Sequence, residues 1–395
     1  LALVEQPDAL LTAYVFELDN IKYSDVLFEG TDLSSTRFDA VAGLIAGELP
    51  FGFLGDSRLA YSYLTRHNLE YRFNEGGTVA GDSVAGFEGF DDLAASITYE
   101  TRLREYWGGL TWSQPLDRYG LGVTMFVASR SQRLRYGTSF TTTSEEGVSN
   151  LSSGRSYDYY DWRLLWKIGA ATSWDRWNLG LNITTPSLHL FGQGDVSYEV
   201  VGILRDLETV TTSFQTGLPS GYANSWAVGA GAEYNGNGWK AHVATEWFDR
   251  VDVTILDPEP FQSQTDSTVV VDADVTNVMK SLLNVAVGYE HTFSDKYSGY
   301  ATFYTDRTGA ELGDSSVTTT TPWDLWTFGA GAIFSVGRSE FTTGLTYKFG
   351  GREDIGDYDL VPDEEFDDEL LSRTSGRFWR LTLVLGFKLE FAPDI

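Results

Sequence analysis

The chain contains no cysteine, which excludes disulfides, thiolate metal sites and a cysteine nucleophile. Its four histidines, His67, His189, His242 and His291, fall in separate segments with no HExxH pair, and no Gly-x-Ser-x-Gly nucleophile elbow is present. Gly76-Gly77 and Gly350-Gly351 lack the Lys-Ser or helix start that a phosphate cradle needs. No catalysis, cofactor or metal is expected, and His67 beside Asn68 is the one place where a wall-built catalytic site would be sought. Positive charge is scarce, with 28 Lys and Arg against 56 Asp and Glu, a formal charge of -28 and a pI near 4.4. Such a surface repels phosphate backbones, so nucleic acid is excluded as a partner. No apolar run approaches the ~18 residues of a spanning helix, yet a spanning β-barrel stays open, because its strands show only alternate residues to lipid.

Aromatics and glycine are plentiful. Twelve Trp, 21 Tyr and 24 Phe make 14% of the chain, and 41 Gly stand beside 10 Pro. Barrels use aromatics as interfacial girdles and glycine where strands bend or crowd. The segment 380–391 is the clearest case of alternation: Leu381, Leu383, Leu385, Phe387, Leu389 and Phe391 share one face, while Arg380, Thr382, Gly386, Lys388 and Glu390 share the other. Large apolar groups opposite both charge signs suit a wall between lipid and water. Gly386, Leu389 and Phe391 resemble the C-terminal assembly signal by which bacterial outer-membrane barrels engage their assembly machinery.

Fourteen such runs are read at 11–28, 36–49, 57–73, 93–113, 118–137, 156–174, 177–191, 223–234, 238–256, 281–293, 297–307, 323–335, 338–349 and 376–391. Connections after even-numbered runs are tight, as at Asp175-Arg176 and Val336-Gly337, whereas those after odd-numbered runs are long, except the first. That strict alternation predicts an all-β, transmembrane antiparallel barrel of 14 strands, with short periplasmic turns and long extracellular loops. Residues 1–10 are read as the remnant of a plug or lead-in, and 11–395 as one barrel domain. Trp112, Trp174, Trp177 and Trp239 are expected in a lower girdle, Trp226, Trp323, Trp326 and Trp379 in an upper one.

With fourteen runs in place, three short stretches carry a further resemblance. Gln6-Pro7-Asp8-Ala9-Leu10 resembles the Asn-Pro-Ala-x-Leu segment of FadL-type outer-membrane transporters for fatty acids and other hydrophobic compounds. Thr185-Pro186-Ser187-Leu188 and Gly217-Leu218-Pro219-Ser220 are similar to that family's strand ends around its largest loop. The resemblance implies a barrel with an N-terminal hatch, a greasy extracellular landing site and lateral release through a gap in the wall. Only about ten residues precede the first run, so the hatch is either trimmed from this sequence or replaced by another closure.

Function follows from lining and loops. Lumen-facing cations Arg163, Lys167, Lys240, His242, Arg380 and Lys388 are candidates to meet the head group of an amphiphile, or to pair with carboxylates such as Asp161, Glu246 and Glu390. In 192–222, Val200, Ile203, Leu204 and Leu207 would share one face of a loop helix and form a hydrophobic capture surface, or pack over the barrel mouth. The acidic stretch 353–369 lacks EF-hand spacing and reads as a solvated loop. The overall acidity suits either loops holding divalent cations beside lipopolysaccharide or a high-salt habitat. The expected activity is passive uptake of small hydrophobic or amphipathic molecules across a Gram-negative outer membrane. Alternatives are a diffusion porin, or a closed barrel that serves as a structural or secretion accessory and meets a protein through its acidic loops.

Overall fold

The computed structural model describes residues 9–24, 32–49, 56–80, 92–144, 147–204, 207–265, 268, 270–310, 323–353 and 375–390. Within them no helix occurs. The first half of the chain supplies β1 (Ala9–Ser24), β2 (Asp32–Leu49), β3 (Arg58–Ala80), β4 (Asp92–Leu116), β5 (Tyr119–Ser144), β6 (Gly147–Trp174) and β7 (Trp177–Thr184). A hairpin follows, β8 (Leu188–Leu204) and β9 (Leu207–Pro219), then β10 (Ala227–Asn235) and β11 (Trp239–Phe248). Four short strands come next, β12 (Val251–Leu256), β13 (Phe261–Gln262), β14 (Val270–Val271) and β15 (Val275–Met279). The chain ends with β16 (Leu282–Ser294), β17 (Tyr297–Asp306), β18 (Leu325–Val336), β19 (Ser339–Arg352) and β20 (Ser375–Glu390).

β1–β7, β10, β11 and β16–β20 close into one antiparallel barrel of 14 strands, sealed where β20 pairs β1. Closure leaves every strand with two neighbours, which removes the exposed edges that an open sheet would present. Turns on one rim are tight. Asp117 and Asp175 adopt φ 52° and Gly337 φ 63°, the left-handed backbone that two-residue hairpins require.

Alternation holds round the wall. On β20, Leu383 points out of the barrel, whereas Thr382 is buried inside and Arg380 reaches lumen carboxylates. Phe391 lies outside the described residues, while Gly386 and Leu389 sit on β20 as expected. Outward rings form a continuous train along the tight-turn rim, Trp177 to Tyr234 to Trp239 to Tyr289 to His291 to Phe293 to Tyr297 to Phe334, with centroids 4.6 to 6.5 Å apart. This is the girdle that an interfacial boundary selects. On β17, Phe303 joins the outer rings near Trp326 and Phe328, and Tyr300 turns inward over Gly331 and Gly344.

Several expectations are corrected. The run 177–191 divides, since β7 stops at Thr184 and β8 starts at Leu188. The stretch 192–222 forms no helix: it supplies most of the β8–β9 hairpin, which extends the wall by pairing with the upper part of β6. Val200 is consequently buried inside and Ile203 exposed outside, on opposite faces of one strand, while Leu204 and Leu207 pair at the hairpin end. Likewise 238–256 is two strands, because after Phe248 the chain leaves the wall and folds inward. Trp323 is buried against Tyr23 at the mouth and does not join the upper girdle. Of the acidic stretch 353–369, all but Glu353 lies outside the described residues.

Candidate functional site in the lumen and wall

The strands are unequal in length. β7, β10, β11 and β17 have 8, 9, 10 and 10 residues, close to the ~9–11 needed to cross a bilayer. β3, β4, β5 and β6 have 23, 25, 26 and 28. Their surplus rises past the shorter strands on the long-loop side.

Inside, the two walls differ. The short wall turns Gly180, Gly229, Gly231, Gly288, Gly329, Gly331 and Gly344 to the lumen, opposite outward Leu181, Val228, Tyr289, Phe328 and Leu345. The tall wall fills its side with rings and aliphatic groups, among them Tyr71, Phe73, Tyr99, Tyr136, Tyr157 and Tyr198. Ile255, Leu256, Phe261, Ala273 and Val275, from the β12–β15 segment, pack into the same cluster. The mouth is therefore stoppered by apolar packing, whereas on the short wall polar side chains such as Asn182, His242 and Tyr300 lie over the glycines.

Beneath the stopper lies a buried polar layer set by register. His67, Glu105, Arg130 and Asp161 stand directly opposite one another on β3, β4, β5 and β6; the last three are buried, whereas His67 is exposed. Glu105 accepts from Arg130 at 2.9 Å, Arg163 at 2.7 Å and Trp107 Nε1 at 2.6 Å. Arg130 also donates to Tyr159 at 3.0 Å and Gln132 at 2.9 Å. Asp161 lies 3.7 Å from Arg163 and 2.9 Å from His189 Nδ1. A buried ion network of this kind persists only with its partners in place, because each charge removed from water needs compensation.

A strap crosses this layer. Residues 220–225 leave β9 and run inward before β10: Ser220 donates to Tyr160 O at 2.7 Å, Gly221 N to Ile255 O at 2.9 Å and Tyr222 N to Asp161 at 3.3 Å. Asn224 accepts from Arg163 at 2.5 Å and donates through its N–H to Ser187 at 2.9 Å. Both resemblance stretches, Thr185–Leu188 and Gly217–Ser220, thus flank or hold the strap. Tyr222 is buried, with Arg130 and Arg163 4.1 and 4.7 Å from its ring centre.

The wall has a seam. β2 and β3 pair only from Leu44 opposite Leu64 to Leu49 opposite Leu59, although both strands continue well beyond. Gly43 is an extra residue against β1 and Arg66 an extra residue against β4, so two bulges face each other where the ladder stops. Bulges bend and twist a strand, and here they splay the pair. Side chains bridge the gap instead: Thr65 to Ala42 O at 2.8 Å, Arg37 to Asn68 O at 3.2 Å, and Asn68 to Asp39 at 2.5 Å, with Arg37 paired to Asp39. Backbone left without a ladder at membrane depth is tolerated only where it lines a polar cavity or passage.

The six predicted cations do not form one site. Arg163 belongs to the central network, and Lys167 faces Glu246 at 3.7 Å. His242 lies 3.2 Å from Glu233, with half-buried Lys240 nearby on the same strand. Arg380 binds Glu17 and Asp19 at 3.2 and 2.7 Å, and Lys388 lies 3.9 Å from Glu340. Sequence reading missed Glu105, Arg130, Tyr222 and the Arg37–Asp39–Asn68 cluster. The alternating Glu105–Trp107 and Arg130–Gln132 pairs were the available signal. Among the described residues no His, Asp and Glu cluster is arranged to hold a metal.

No protein-family model matches the sequence, and no curated protein matches it by sequence. Solved structures do match in three dimensions. The P. putida toluene transporter TodX aligns with a TM-score of 0.65 at 11% identity, over 98% of this chain and 92% of that one. The Ralstonia pickettii toluene transporter TbuX aligns at 0.58 and 10%, over 98% and 90%. A Pseudomonas aeruginosa FadL homologue aligns at 0.57 and 12%, over 98% and 91%. At such identity the likeness speaks for architecture, and the chain has the 14-stranded barrel fold of the FadL-type hydrophobic-compound channels.

Proposed function

We propose that this chain is an integral outer-membrane channel of a Gram-negative bacterium that admits small hydrophobic or amphipathic molecules without its own energy source. Its partners would be the bilayer, lipopolysaccharide around the acidic rim, and the barrel-assembly machinery that inserts it. The observation carrying the reading is the β2–β3 seam, where backbone pairing stops within the apolar belt and two bulges meet. A molecule that has passed the apolar mouth reaches the level of His67 and Asn68, beside that seam, and can leave sideways into lipid without crossing the rest of the lumen. The solved relatives in shape include channels titled for toluene and other monoaromatic hydrocarbons, which supports hydrophobic cargo here. Catalysis forms no part of this reading.

Proteoliposomes carrying the purified chain should take up toluene or octane faster than empty liposomes and should not swell in isosmotic sugar. Free sugar flux without hydrocarbon flux would mean a diffusion porin. Neither flux, together with capture of a protein through the outer loops, would mean an accessory barrel.

A further inference from the structure

Tyr222 is carried on a strap, not on a strand, and its ring belongs to the apolar stopper where that stopper meets the buried ion network. Its contacts are specific. Two guanidinium carbons lie 4.1 and 4.7 Å from the ring centre, within the ~6 Å reach of a cation–π interaction. Those guanidiniums are already matched in charge: Glu105 takes one bond from each, and Arg163 also faces Asp161. Most of their N–H groups are taken up by Glu105, Gln132, Tyr159 and Asn224, and Arg163 Nη1, which makes no hydrogen bond, is turned to Asp161 at 3.7 Å, so what they chiefly offer the lumen is the attraction of a cation for a ring. An incoming carboxylate would find no uncompensated positive charge here and would meet Glu105 and Asp161 instead.

We propose that Tyr222 is the gate of the lumen and that Arg130 and Arg163 act as a ring-selective filter, across which a neutral aromatic ligand passes by taking the place of the tyrosine ring. This rests on the uptake reading above and adds to it a class of preferred cargo. Exchange of one ring for another keeps both cation–π contacts. An alkyl chain of similar size displaces the ring and replaces neither contact, and an alkyl carboxylate adds the cost of an unpaired charge. The strap is held by six separate hydrogen bonds, from Ser220 to Tyr160 O and Gly192 O, from Gly221 to Ile255 O, from Tyr222 to Asp161, from Asn224 to Ser187 and from Arg163 to Asn224, and no strand ladder fixes it, so it can move without unzipping a sheet.

The test compares proteoliposome uptake of toluene, octane and octanoate by the wild type, Tyr222→Phe, Tyr222→Leu and Ser187→Ala, each first checked for the heat-resistant folded band. Wild type should prefer toluene to octane, with octanoate slowest. Tyr222→Phe should keep that order. Tyr222→Leu should admit octane faster and shrink the toluene-to-octane ratio by about 3- to 30-fold, the worth of one or two such contacts. Ser187→Ala, which frees the Asn224 amide, should raise all three fluxes without changing their ratio, and it reads out strap release even where Tyr222→Leu fails to fold. Hydrocarbon flux with a ratio unchanged in Tyr222→Leu, or unchanged fluxes in Ser187→Ala, would overturn the gate while leaving the uptake function standing. Absence of any hydrocarbon flux in wild type would overturn both.

Discussion

The two sides of this barrel solve different problems with the same ladder. Between β7 and β17 the strands are barely long enough to cross a bilayer, and glycine lines the inside, with polar pairs such as His242–Glu233 partly exposed. Between β3 and β6 the strands are more than twice that length, rings fill the inside, and the Glu105–Arg130–Arg163 network is almost wholly buried. One side is lined by glycine under polar side chains and the other is packed with rings. The difference teaches that the tall wall carries the groups removed from water, where every lost partner is felt.

The largest break in that contrast would come from locking the seam. Because the chain has no native cysteine, Ala42→Cys with Thr65→Cys can be bridged by a short bifunctional thiol reagent. Bridging should reduce hydrocarbon uptake to the level of empty liposomes. The same treatment of Val243→Cys with Val287→Cys, directly opposed on the short wall, should leave uptake intact. Equal inhibition by both would remove the seam from the path.

Next in size is the buried network. Glu105→Gln leaves two guanidiniums without their carboxylate and should cost ~3–5 kcal/mol in detergent unfolding. Lys167→Gln, at a partly exposed pair, should cost no more than ~1 kcal/mol. Smaller again is crowding of the short wall. A Cβ on Gly331 would come within 2.3 Å of Thr343 O and 2.4 Å of the Tyr300 ring, so Gly331→Ala should destabilise by ~1–3 kcal/mol. Gly180→Ala meets nothing within 4 Å and should change stability by less than ~0.5 kcal/mol.

The smallest effect concerns the inward-folded segment at the mouth. Burial, and then neighbouring Asp272, raise the Asp274 carboxyl from 3.8 to about 6. A carboxyl raised on folding supports the packed segment while protonated. That support is full below its unfolded value and is lost as pH climbs through about 6. Deuterium exchange across 270–280, corrected for intrinsic rate, should therefore be slower at pH 5 than at pH 7.5. Asp272→Asn should flatten the difference.

Much of the cylinder was legible because lipid on one side and water on the other impose a period of two. Leu383 outside with Thr382 inside, and Leu181 outside with Gly180 inside, follow directly from it. The surplus height of β3–β6 was not legible, since beyond the membrane both faces of a strand can be polar or aromatic; β6 starts at Gly147 where the pattern suggested 156. The β8–β9 hairpin was misread because Val200, Ile203 and Leu204 fit helical spacing, although Val196, Tyr198 and Val200 carried the strand period. The seam was hidden in a parity change. Tyr61 and Tyr63 face outward and Tyr71 and Phe73 inward although all four are odd-numbered, which only an inserted residue such as Arg66 allows. The central network joins residues from β4, β5, β6 and the strap, and no spacing within one strand reveals such a meeting.

β6 changes partner along its length, holding β7 from Lys167 to Trp174 and β8 from Asn150 to Leu164. It is therefore a mast shared by two constructions, the tube below and an awning above. Insertions, deletions or wholesale exchange of the awning can reshape that rim, while the ladder of the tube below keeps its register.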